Sequence, residues 1–310
     1  MKKEEDLNVK FAGIEDFDEI SIIKLENPSP GKFEDLAIIY AVSWDTNYVK
    51  LLKRSIVSQI KYTDINLEHV YVVCDYITIE AVREELEEII DINNIITVPT
   101  NFSIKVTALN HYRFDKYNAK LMFDSDLFVY SQNGRYNFYE QMSTYYKYYD
   151  TLLFWMEYNW ASHELVDRSL TLNGLLHYGE TFLKFYLDNL TEEQYYRFHD
   201  GLKWKFTGFL GVKNHFKEPE YFKYLFNSLI NAVGCDETIL NIWTEKMEYK
   251  HNFIHYLPHI KMQSSIEIVD FIKNYKTKKL DDDTFYLIHP IERKVDNRKE
   301  IIKFINDLTK

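Results

Sequence analysis

Between residues 36 and 123 the chain alternates short, mostly apolar strand-like runs with helical stretches, and the first run is unbroken. The strand-like runs are 36–42, 69–74, 95–98 and 120–123, the last three each carrying one polar residue, His69, Thr97 and Lys120. A run without alternation is what a strand buried on both faces requires. After the first run, Tyr48, Leu51, Leu52, Ser55, Ile56 and Gln59 fall on one face of a helix. A second helix is expected over 78–90. Strands that alternate with helices connect by right-handed crossovers and build a mostly parallel sheet flanked by helices. The expected fold is therefore α/β and Rossmann-like, in a single large domain. A chain of 310 residues, 46% of them hydrophobic, has the material for such a core. Ligands of these sheets bind outside the carboxyl ends of the strands, and the fourth run leads directly into Asp124.

The rest of the chain is less regular. Residues 1–35 form an extension that ends in the turn cluster Asn27-Pro28-Ser29-Pro30-Gly31, with short strands expected at 9–14 and 20–25. Further strands are expected at 152–156, 206–212 and 285–288, and helices at 172–189, 192–200, 218–232, 236–244 and 298–308. This divides the chain into the extension, a regular half over 36–130 that contains Asp124-Ser125-Asp126, a less regular half over 131–280, and a closing strand and helix over 281–310.

Charge and cysteine usage exclude several classes. A net charge of −11 with no basic stripe argues against a nucleic-acid partner. The short lysine cluster at 273–279 is followed at once by Asp281-Asp282-Asp283 and reads as a solvated polar loop. Cys74 and Cys235 form no paired motif and read as thiols of a reducing compartment. No stretch reaches the ~18 apolar residues of a membrane span, and no apolar leader follows the charged N-terminus. The expectation is a cytoplasmic protein with no integral membrane segment.

Four segments carry chemistry. In Asp124-Ser125-Asp126, two carboxylates one residue apart point to the same side if the strand stays extended, and they repel unless a cation lies between them. Oxygen ligands on a rigid edge suit Mg²⁺ or Mn²⁺. The plainer reading is a turn, since Asp and Ser form turns readily; the strand context favours the metal. In Thr207-Gly208-Phe209-Leu210-Gly211, glycine within a strand marks a bulge, a close ligand approach, or room for a bulky neighbour. Asp236 and Glu237 open a helix, and capping alone accounts for both. His289-Pro290 ends the last strand ahead of Arg293 and Lys294, and a lone histidine there is weak evidence by itself. Glu157 follows a strand without a second feature, and Pro258 breaks the helix that His251, His255 and His259 would need to share a metal.

The order of these segments resembles the GT-A glycosyltransferases, and the glycogenin-like family in particular, over roughly residues 36–300. In that pattern an apolar strand ends in a nucleotide-contacting loop, here 38–48, and a later strand, 120–123, ends in Asp-x-Asp. A glycine-containing strand then lines the donor sugar, an acidic helix start follows, and a C-terminal histidine with a nearby lysine completes the metal site. The resemblance implies metal ligands at Asp124, Asp126 and His289, with Mn²⁺ or Mg²⁺ as cofactor. It implies donor contacts from Ala41, Val42, Ser43, Asp45, Asn47, Asp75, Lys120, Ser125, Thr207, Gly208 and Lys294, and catalytic roles for Asp236 and Glu237. The donor would be a nucleoside diphosphate sugar of the UDP type, and the acceptor a saccharide or another hydroxyl compound. Two departures stand out: Thr207 replaces the family's asparagine, and 288–294 lacks the glycine and Pro-Trp of the family's tail. Rival expectations are a phosphatase of the haloacid dehalogenase type, which places Thr or Val where Phe128 stands, and a non-catalytic nucleotide- or sugar-binding module.

Overall fold

The computed structural model describes residues 36–100, 104–146, 151–155, 205–213, 251–253, 259–263, 268–290 and 298–310. The strands expected at 9–14 and 20–25 and the helices at 172–189, 192–200, 218–232 and 236–244 lie outside these residues. So do Glu157, Cys235, Asp236, Glu237, Arg293 and Lys294.

The alternating pattern becomes β1 (Leu36–Val42), α1 (Asn47–Tyr62), β2 (Val70–Asp75), α2 (Ile79–Leu86), β3 (Ile95–Val98), α3 (Ile104–Leu109) and β4 (Ala119–Phe123). These are followed by β5 (Phe128–Ser131), α4 (Phe138–Tyr145), β6 (Thr151–Trp155), β7 (Lys205–Lys213) and β8 (His251–Phe253). The chain closes with β9 (Ile260–Gln263), α5 (Ile268–Lys276), β10 (Phe285–Ile288) and α6 (Arg298–Thr309). The main sheet has seven strands in the order β3-β2-β1-β4-β7-β6-β8. Only the pairings of β7, with β4 and with β6, are antiparallel, so the sheet is mixed and mostly parallel.

Every residue of β1 is buried because both faces of the sheet are covered. Leu36, Ile38, Tyr40 and Val42 join one core with Leu52 and Ile56 of α1 and Phe123 of β4. Ala37, Ile39 and Ala41 face the other core, with Tyr71, Phe114 and Tyr117. Order reverses at β1: the chain steps outward to β2 and β3, then returns to place β4 on the other side. That reversal makes the gap between β1 and β4 the topological switch point, where α/β sheets bind ligands.

A second sheet, β5-β10-β9, lies outside the main one. It pairs the strand immediately after the Asp-x-Asp turn with the last strand of the chain, antiparallel, Phe128 opposite Ile288. The final helix is then anchored to α1, where Arg54 Nη1 donates to Thr309 Oγ1 at 3.0 Å and Lys61 Nζ donates to the Leu308 carbonyl at 3.2 Å. One expectation is corrected here. The segment read as a polar loop from residue 273 begins in helix α5, because Ile268, Phe271 and Ile272 bury one face while Lys273 and Lys276 occupy its last turn. Cations are favoured at that end of a helix.

Candidate metal and donor site

The site starts where β4 ends. Phe123 is fully buried, and the next four residues reverse the chain, with the Leu127 amide donating to the Asp124 carbonyl at 3.2 Å. The triplet is therefore a turn, and it is also a carboxylate pair. Reversal, rather than an extended edge, brings Asp124 and Asp126 together. Two serines of α1 hold the departing backbone: Ser55 Oγ donates to the Leu127 carbonyl, and Ser58 Oγ accepts from the Val129 amide at 3.1 Å. Both hydroxyls are buried, so each contact replaces hydration the backbone would otherwise lose.

The third member of the cluster arrives by register. Pairing Ile288 with Phe128 leaves His289 at the level of the turn, and its amide donates to the Gln263 carbonyl at 3.0 Å. Its Nε2 lies 3.3 Å from Asp126 Oδ1 and 3.9 Å from Asp124 Oδ2. One ligand atom from each of Asp124, Asp126 and His289 falls within 4.8 Å of the others. Two carboxylate oxygens and one imidazole nitrogen gathered at a strand end are a donor set that fits a divalent cation.

A cation of the protein is also present. Lys105 Nζ, from α3, stands 2.7 Å from Asp124 Oδ1. Burial raises the Asp124 carboxyl above its ordinary range, Lys105 opposes that shift, and the neighbouring Asp126 charge adds to it. Burial also pushes Asp126 upward, but the attraction and hydrogen bond of His289, with Lys105, outweigh it and hold that carboxyl below its usual range.

The other expected residues occupy distinct places. Ala41 and Val42 are buried at the end of β1, and Ser43 begins the loop beyond it. Trp44 in that loop is 44% exposed and adopts φ 69°, a left-handed conformation uncommon for a bulky side chain. Asp45 Oδ1 accepts from the Asn47 amide at 2.9 Å and so starts α1. Asp75 ends β2 fully buried. Its Oδ2 accepts from the Trp44 amide at 3.1 Å, and its Oδ1 from the amides of Ile77 and Thr78 and the Thr78 hydroxyl. Lys120 is buried on β4 and donates to the Leu109 carbonyl at 2.7 Å. Ser125 is buried within the turn.

Thr207 and Gly208 fall at an irregularity of β7. Leu153 pairs with Leu210 but the next residue, Phe154, pairs with Phe206, so 207–209 bulge out of the β6 register. Phe123 pairs with Phe209, which puts Gly208 one step beyond the last rung, beside the start of the Asp-x-Asp turn. The structure thus gathers Asp124, Ser125, Asp126 and His289 at one strand end, with the β1 loop and the β7 bulge on the two neighbouring strands. Lys105 and the two serines of α1 are the residues sequence reasoning missed. Lys105 carried no signal, being the single charged residue of a six-residue helix.

The sequence matches no family profile and no curated protein sequence. Among solved structures, mouse xyloside xylosyltransferase 1 matches with 8% identity and a TM-score of 0.40, over 81% of this chain and 96% of that one. The mannosyltransferase Ktr4p of S. cerevisiae matches at 14% and 0.36, over 75% and 68%. Core-mannan synthase A of Aspergillus fumigatus, in its Mn/GDP form, matches at 9% and 0.37, over 77% and 79%.

Proposed function

We propose that this protein is a metal-dependent glycosyltransferase that moves a sugar from a nucleoside diphosphate sugar, UDP-linked, to a saccharide or other hydroxyl acceptor in glycan synthesis. The observation that carries this reading is the cluster of Asp124, Asp126 and His289 at the end of β4, beside the switch point of a mostly parallel sheet. A divalent ion held there supplies the positive charge that stabilises a diphosphate leaving group.

The chain's own residues do the rest. The backbone of Ala41, Val42 and Ser43 with Asp45 and Asn47 receives the nucleoside, and Asp75 fixes that loop through the Trp44 amide. Thr207 and Gly208 leave the sugar close access to the sheet at the β7 bulge. Asp236 or Glu237 orients the sugar hydroxyls or accepts the acceptor's proton, and Lys294 meets the phosphates. The anomeric carbon gains oxocarbenium character as the bond to diphosphate breaks.

Thermal shift tests the reading. Mn²⁺ with UDP is expected to raise the melting temperature, and more than with GDP, CDP or dTDP. Replacing both aspartates, Asp124→Ala with Asp126→Ala, is expected to abolish the rise. No stabilisation by any of the four nucleotides, with or without metal, overturns it.

A further inference from the structure

The proposed metal site already contains a cation. Lys105 Nζ is 2.7 Å from Asp124 Oδ1, and both side chains are only 17% exposed. At that burial a charge is screened far less than at the surface. The local balance then matters. Among the described residues, two carboxylates and one ammonium sum to a single negative charge, so a divalent ion entering with Lys105 in place leaves an excess of positive charge. A diphosphate entering with the ion reverses the sign.

We propose that Lys105 is a resident counter-cation that makes the site a poor host for a bare divalent ion and a good one for the metal–nucleotide pair. It rests on the reading of Asp124, Asp126 and His289 as metal ligands. Lys105 acts through Asp124, as a positioning and selectivity residue. Because coupling between two ligands is reciprocal, the same lysine makes metal and nucleotide each tighten the other's binding. It also keeps the carboxylates compensated while the site waits for donor, which a pair of close anions otherwise lacks.

The test is Mn²⁺ affinity, read by titration calorimetry or by the paramagnetic resonance of free Mn²⁺, with and without UDP. Lys105→Gln is expected to bind Mn²⁺ alone about tenfold more tightly than the unaltered protein. The further tightening that UDP produces should shrink by a similar factor. Lys105→Arg keeps the charge and should bind bare Mn²⁺ as the unaltered protein does. Melting curves without ligand check that both variants fold, and Lys105→Met serves as a second neutral variant should the glutamine unfold. Bare Mn²⁺ affinity that is unchanged or weaker in the folded neutral variants overturns the inference, as does equal tightening in Lys105→Arg. Mn²⁺ binding that survives Asp124→Ala with Asp126→Ala overturns the metal site itself, a separate result from failure of the lysine's role.

Discussion

Two buried acidic sites lie at strand ends of the same sheet, and they are built in opposite ways. Asp75, at the end of β2, receives hydrogen bonds on both oxygens, from three backbone amides and one hydroxyl. Asp124 and Asp126, at the end of β4, face each other, a histidine and a lysine. Fixed amide donors satisfy a carboxylate permanently and tie down the chain around it. Side-chain partners and a second carboxylate, in place of backbone amides, leave one that can exchange partners. Burial alone therefore does not mark a binding site; the kind of partner does.

The largest expected effect separates the two sites by function. Asp124→Asn should lower transfer or donor hydrolysis by about a thousandfold or more, the scale lost when charge stabilisation of a leaving group is removed. Its folding stability at neutral pH should hold or rise. Burial raises the Asp124 carboxyl in the folded state, so the charged form is disfavoured there, and stability attributable to it falls as pH climbs through that raised pKa. Urea denaturation at pH 7 beside an assay of nucleotide-sugar turnover measures both. A loss of several kcal/mol in stability would show that Asp124 is structural after all.

Asp75→Ala should show the reverse. Removing four hydrogen bonds to a buried carboxylate strands two loops' worth of donors, at a cost of roughly 3 kcal/mol. Mn²⁺ binding to the Asp124 cluster should persist in the folded fraction, while nucleotide affinity weakens as the Trp44 loop loosens. Full nucleotide affinity in a destabilised variant would show that the loop's shape does not depend on the clip.

Much of the fold was legible because β1, β2, β4 and β10 are buried on every residue, and their largely apolar sequences without alternation announce that. The Asp-x-Asp turn was legible for the same reason, as an abrupt polar stop after β4. His289 could be placed only through the order of motifs, because its approach depends on β10 pairing with β5 more than a hundred residues earlier. Helix α4 hides in a similar way. Its first amides, of Tyr139 and Glu140, are capped by Asp64 from a distant loop rather than by a neighbour in sequence. The α1 serines looked like filler on a helix face, yet they fix the backbone that leaves the Asp-x-Asp turn. Contacts between distant segments leave no local pattern to read.

The contrast extends to two lysines, and here the expected effect is smallest. Lys105 is compensated by a carboxylate, whereas Lys120 donates to the neutral Leu109 carbonyl at the end of α3. Burial lowers the Lys120 pKa to about 8, with Asp115 opposing the shift. A folded-state value below the unfolded one means that the unfolded chain binds more protons between about pH 8 and the ordinary lysine range. The penalty for burying this ammonium is therefore present at neutral pH and is relieved as pH rises through that window. Buried tyrosines such as Tyr40, whose hydroxyl burial raises, oppose the trend near and above their ordinary value of 10.0, so the comparison must be made against a variant. The stability of the unaltered protein relative to Lys120→Met should grow by about 2 kcal/mol from pH 8 to 10. Urea denaturation of both at several pH values measures that difference. A flat difference would mean that Lys120 stays charged in the folded protein, compensated as Lys105 is, and the two lysines would no longer be distinct.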